Sequence, residues 1–131
     1  MIEGATKFTI LFRHRDEAQL YRGTLPEFRG MVISDLAPAR DIPNYHGQRH
    51  RVGFYASTKA GGHLPFESGL ERLRLQFLDF DREVVTFLTQ PFTLEWVEGK
   101  RTYRYTPDLL AIHASGKRVV EDVKPARFHD S

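Results

Sequence analysis

The dipeptide Ser115-Gly116 constrains this chain more than any other feature, because it separates two short extended runs, Leu109-Leu110-Ala111-Ile112 and Arg118 to Lys124. The first run is wholly apolar, as a buried strand requires, and the second is a returning strand stopped by Pro125. Such a hairpin brings the residues before its first strand beside those ending its second. These are Pro107-Asp108 and Asp122-Val123-Lys124.

Loop length decides which side chains meet. A two-residue loop at Ser115-Gly116 sets Asp108 opposite Val123 and points it away from Asp122. A three-residue loop, Ala114-Ser115-Gly116, with Gly116 in the left-handed position, sets Asp108 across from Asp122. Along the strand, a period of two puts Asp122 and Lys124 on one face and Glu121 on the other.

Upstream, Lys7 to Phe12 alternates polar and apolar residues and reads as a strand. A short helix is expected around Asp16 to Tyr21, stopped by Gly23 and Pro26. Met31 to Ser34 reads as a short strand, Ala37 to Arg51 as an irregular basic loop, and Val52 to Ala56 as extended.

After the Gly61-Gly62 joint, a helix is expected with Pro65 in its first turn and Phe66, Leu70, Leu73 and Phe77 facing the core. Glu67, Glu71 and Arg74 fall on an adjoining stripe. Val84 to Leu88, Phe92 to Val97 and Arg101 to Thr106 read as three further strands, with Gly99-Lys100 turning the chain. The order is α/β or α+β, a mixed or antiparallel sheet with a flanking helix.

At 131 residues the chain reads as one domain, with an N-terminal extension carrying the basic loop (1–51), a core (52–125) and a tail (126–131). Without cysteine there is no disulfide or thiolate metal site, and no apolar run reaches membrane-spanning length, so a cytoplasmic protein is expected. Net charge is only +2, so the basic segment says more about a polyanionic partner than the sum does. Arg40, Arg49, Arg51 and Lys59 are candidate phosphate contacts.

Two carboxylates one strand apart repel each other unless a cation lies between them. Mg²⁺ suits such a pair, since it takes a few carboxylate oxygens, keeps several waters, and stabilises charge on a phosphodiester. Lys124 could then bind the scissile phosphate or position the attacking water. Glu71 could supply a third carboxylate from the helix, with Glu67 as its competitor. The plainer reading of either glutamate with Arg74 is a solvated helical ion pair contributing about 0.3–0.5 kcal/mol, and His63 and His113 lack a second histidine at ligand spacing.

Five short motifs in order, Phe66-Glu67-Ser68-Gly69-Leu70-Glu71-Arg72, Leu78-Asp79-Phe80-Asp81, Gln90-Pro91-Phe92, Tyr105-Thr106-Pro107-Asp108 and Glu121-Asp122-Val123-Lys124-Pro125, resemble the TnsA-like endonuclease family of heteromeric transposases. The resemblance covers roughly 52–125. It implies a restriction-endonuclease-like core of the PD-(D/E)XK type that cleaves double-stranded DNA with Mg²⁺, or Mn²⁺ in its place, beside a partner transposase subunit.

It also implies Glu71, Asp108 and Asp122 as metal ligands, Lys124 as the catalytic lysine, and Gln90 as structural or phosphate-proximal. Family cores continue past the lysine strand, so this chain looks truncated, and either its N-terminal segment, a second copy or another chain is expected to complete the sheet. The expected function is a metal-dependent endonuclease. The alternatives are a catalytically weak DNA-binding or assembly module of the same fold, or a stand-alone restriction-like or repair nuclease.

Overall fold

The first strand, β1 (Thr9–His14), is buried on both faces at its middle, with Ile10, Leu11 and Phe12 all inside. A computed structural model describes residues 8–39 and 53–123. Where a helix was expected over Asp16 to Tyr21, β2 (Leu20–Gly23) instead pairs antiparallel with β1. Asp16, with φ at 68°, closes a turn that no helix can pass through.

Pro26, expected to stop a helix, opens one: α1 (Leu25–Arg29) carries it in the first turn. Thr24 caps that turn reciprocally with Glu27, the Glu27 amide donating to Thr24 Oγ1 at 3.3 Å and the Thr24 amide to Glu27 Oε1 at 3.0 Å. The strand expected from Met31 is a 3-10 turn, Ile33–Asp35, leading into β3 (Leu36–Ala37).

The extended run at Val52 to Ala56 is realised as β4 (Gly53–Ser57), but its partner β5 (Gly62–Phe66) occupies residues expected to start a helix. Pro65 is tolerated because this sheet has only two strands and therefore only edges. Gly53 lies opposite Phe66, and a Cβ there would run into the phenyl ring.

Helix α2 (Gly69–Phe80) starts at Ser68, whose hydroxyl accepts the Glu71 amide at 3.1 Å. Its buried residues are Leu75 and Leu78; Leu70, Leu73 and Phe77, expected in the core, are 38%, 47% and 60% exposed. Two apolar stripes compete on this helix, and Asp79 selects between them. Its carboxylate accepts the Tyr55 hydroxyl at 2.8 Å and the Ser57 hydroxyl at 2.7 Å, turning the Leu75 and Leu78 side toward the β4–β5 hairpin.

The remaining strands are β6 (Val84–Thr89), β7 (Thr93–Glu98), β8 (Arg101–Tyr105), β9 (Leu109–His113) and β10 (Arg118–Glu121). Among the described residues every pairing is antiparallel, in sheets ordered β2-β1-β7-β8 with β3 on β1, β10-β9-β6, and β4-β5. This is an α+β arrangement. One core joins Ile10, Phe12 and Phe28 to Leu75, Phe87 and Leu110, so the N-terminal strands cover the later sheet.

The β9–β10 register sets Arg118 opposite Ile112 and Glu121 opposite Leu109. His113 donates its amide to the Lys117 carbonyl and Gly116 donates to the His113 carbonyl, each at 2.8 Å. The loop is therefore Ala114-Ser115-Gly116, with Gly116 at φ +91°. No atom stands within 4 Å of a Cβ built at Gly116, so only backbone strain opposes a side chain. Gly116→Ala is expected to lower stability by about 1–2 kcal/mol, measured as a shift in urea midpoint, with Gly116→Asn losing less.

Candidate functional site

Where the β9–β10 ladder ends, Asp108 and Asp122 form the next pair, and their side chains replace the missing backbone bonds. The Asp108 amide donates to Asp122 Oδ1 at 3.2 Å, and the Val123 amide donates to Asp108 Oδ2 at 2.7 Å. The Tyr105 hydroxyl donates to Asp122 Oδ2. Asp108 is partly buried and Asp122 exposed. Burial first, then the hydrogen bond to Asp122 and the charges of Asp122 and Asp108, push the Tyr105 phenol up to about 12. It therefore remains a neutral donor near pH 7.

Glu71 approaches from the first turn of α2. Its Oε1 accepts the Glu67 amide at 2.8 Å and the Ser68 hydroxyl at 3.3 Å. Burial raises its carboxyl above the usual glutamate range, and the negative charges of Asp108 and Glu67 raise it further, against the pull of those two hydrogen bonds. Of the two glutamates weighed from sequence, Glu71 lies in the first turn of α2 and Glu67 just before its cap, with the Glu67 amide bound to Glu71.

A carboxyl raised by folding favours the folded state below the unfolded value, and that advantage is lost as pH rises through the folded value. Without metal, ionised Glu71 thus weakens the fold at neutral pH. Glu71→Gln keeps an acceptor oxygen for the Glu67 amide and removes the charge. It is expected to raise the apo Tm by about 1–3 °C near neutrality, with the gain vanishing below about pH 4; paired thermal melts across pH check this.

The Glu67 or Glu71 ion pair with Arg74 expected on the helix is replaced by a longer-range one. Arg74 donates from Nε and Nη2 to Glu121 Oε1 and Oε2 at 2.5 and 3.0 Å, a two-pronged clamp between α2 and β10. Strand periodicity puts Glu121 on the face opposite Asp122 but does not give its partner, since Arg74 lies forty-seven positions away. Beside the clamp, a cleft of about 280 Å³ runs between Leu73, Phe77 and Asp122.

Two expected nucleic-acid contacts are occupied otherwise. Lys59 Nζ donates to the Leu78 and Asp81 carbonyls at 3.0 and 2.9 Å, a cation holding the negative end of α2. Gln90 is 2% exposed with φ at 45°. Its amide donates to the Asp108 carbonyl at 2.9 Å and its carbonyl accepts the Ala39 amide at 2.7 Å, so it braces the site from inside. Lys124, Arg40, Arg49 and Arg51, with the basic loop, lie outside the described residues. Tyr105 is a functional side chain that the motif alone does not reveal; its position three residues before Asp108 is the available signal.

All three carboxyl groups are hard oxygen donors, of the kind that takes Mg²⁺ or Mn²⁺. Among the described residues, however, no group of three or more His, Cys, Asp or Glu stands close enough to hold a metal ion. The described geometry is a two-carboxylate pair with Glu71 outside it, which fits a cation that keeps most of its waters. Among the described residues no helix is long and apolar enough to cross a membrane. Comparison with protein-family models, with curated proteins and with solved structures finds no match.

Proposed function

We propose that the chain is a metal-dependent DNA endonuclease with a restriction-endonuclease-like core, the strand-cleaving subunit of a TnsA-like transposase. The observation that carries this reading is the pairing at the hairpin end, where the Asp108 amide donates to Asp122 Oδ1 and the Val123 amide to Asp108 Oδ2, with Glu71 raised by burial and then by the charge of Asp108. Two acidic side chains meet at one hairpin end and Glu71 on α2 lies within the field of Asp108, an arrangement whose repulsion favours a cation.

In this reading Asp108 and Asp122 are the principal ligands and Glu71 the third carboxylate, acting directly or through a water. Mg²⁺, or Mn²⁺ in its place, would supply charge neutralisation and water activation there. Tyr105 holds Asp122 in place, and Gln90 fixes the backbone of Asp108. Lys124, next in sequence after Val123, would meet the scissile phosphate. Double-stranded DNA is the substrate, and the exposed Leu73 and Phe77 on α2 support a second copy or a transposase subunit as protein partner.

The absence of a third carboxylate in contact with the pair among the described residues favours a second reading, a catalytically weak DNA-binding or assembly module. Nicking of supercoiled plasmid separates them. The first reading expects cleavage with Mg²⁺ or Mn²⁺, none in a chelator, and loss in Asp108→Asn and Lys124→Ala. Equal cleavage by all three proteins would sink the site assignment, and DNA binding without metal-dependent cleavage would leave the second reading.

A further inference from the structure

Four aromatic side chains share one face of the β1-β7-β8 sheet. Trp96 pairs with Tyr103 across β7 and β8, and their rings stack at 5.7 Å and 19°. Phe8, immediately before β1, meets the other side of Trp96 at 5.5 Å. The Arg101 guanidinium stands 5.8 Å from the centre of the Tyr103 ring. Tyr105, two residues further along β8 and so on the same face, donates to Asp122.

A cross-strand aromatic ladder can serve stability alone, but burial argues against that as the whole account here. Phe8, Tyr103 and Tyr105 are 50%, 37% and 42% exposed, and every residue of β8 is exposed. Trp96 donates to Glu98 at 3.2 Å and its ring is sandwiched between Phe8 and Tyr103, so the outer rings of the row carry the exposed aromatic surface. On the opposite face, Arg22 and Arg104 neutralise Glu95. On the aromatic side Arg101 stands across the strands from Glu98, with its guanidinium held against the Tyr103 ring as cations are at nucleic-acid stacking surfaces.

We propose that Phe8, Trp96, Tyr103 and Arg101 form a stacking platform for unpaired bases of a DNA strand leading toward Asp108 and Asp122. Aromatic faces accept any base, and Arg101 adds a cation for the strand's phosphates. Continuity through Tyr105 gives the platform its direction, since the row ends on a side chain that holds Asp122. The substrate would then present locally unpaired nucleotides next to the bond to be cut. This proposal rests on the nuclease reading for its position along the strand, but base stacking itself requires no metal and no cleavage.

Trp96 is the single tryptophan, so its fluorescence reports the platform directly. Titration with an oligothymidylate of about twelve nucleotides, within the span one such surface tracks, is expected to quench it in a chelator. Tyr103→Ala is expected to weaken that binding about 5- to 150-fold, the loss of one stacked base. Tyr103→Phe is expected to keep it, and Arg101→Gln to reduce its salt dependence.

Thermal melts of the variants show whether the edge strand stays folded, and Tyr103→Phe remains informative if Tyr103→Ala does not. Quenching by duplex but not by single strand, or none by either, would overturn the platform while leaving metal-dependent cleavage to stand. Quenching with the expected variants but no cleavage under any metal would retain the platform and remove the nuclease reading.

Discussion

Asp108→Asn is expected to leave the fold in place and to lower metal-dependent DNA cleavage by at least about 100-fold, the scale on which removing one preorganised charge-stabilising group acts. The argument is one of chemistry at constant shape. An asparagine carbonyl oxygen can still accept the Val123 amide, so the β9–β10 end stays closed. The backbone bonds from Asp108 to Asp122 Oδ1 and from Gln90 to the Asp108 carbonyl do not involve the changed group.

What disappears is a charge that adds to burial in raising Glu71 and that a divalent cation would bind. Two measurements read the two sides of this change. Plasmid nicking is expected to fall, and Mg²⁺ or Mn²⁺ is expected to stop raising the Tm, because a ligand that binds only the folded state stabilises it by mass action. Full activity with an intact metal-induced shift would show that Asp108 is not a ligand. A large loss of stability without metal would show instead that its charge supports the fold.

Leu78→Ala is expected to destabilise the protein by about 2–5 kcal/mol, whereas Phe77→Ser, the adjacent and larger residue, is expected to change stability by about 0.5 kcal/mol or less. Leu78 is 1% exposed on the side of α2 that packs on the hairpin and β6, and Phe77 is 60% exposed on the other. Denaturant unfolding of both variants checks this. Phe77→Ser is also expected to reduce self-association or partner capture if the exposed stripe is an interface, which sedimentation reads. The reverse order of destabilisation would mean that the buried stripe is Leu70, Leu73 and Phe77, as simple periodicity suggests.

That reversal marks how far the chain could be read in advance. The five strands from Val84 onward were legible because each is a short apolar or alternating run punctuated by Gly or Pro, whereas the last loop was open to two lengths, of which Gly116 in the left-handed region closes the three-residue one. Helix α2 misled because it carries two apolar stripes, and Asp79 chooses between them through Tyr55 and Ser57, more than twenty positions away. Pro26 and Pro65 misled in opposite directions. A proline can open a helix or sit on a sheet edge, and its neighbours in space decide which.

At the candidate site, the juxtaposition of Asp108 and Asp122 followed from their spacing about the loop, while the choice between Glu67 and Glu71 and the surroundings of the pair did not. Gln90 inside the protein, Lys59 on helix carbonyls and Glu121 on Arg74 are each fixed by contacts that no sequence window contains. A buried glutamine with a left-handed backbone has no local signature other than Pro91 after it. The aromatic row was hidden for a similar reason: Phe8, Trp96 and Tyr103 become neighbours only through sheet order.

Strand β10 and the residue after it divide two tasks between adjacent acids. Glu121 clamps the helix, and Asp122 meets Asp108 and Tyr105. Because side-chain direction alternates at every step, one residue added between Lys117 and Asp122 would exchange the clamp for the site and lose both together. The Gly99-Lys100 turn carries no such phase and should accept added residues readily. Length variation among descendants of this chain would therefore gather at that turn and stay out of the five positions before Asp122.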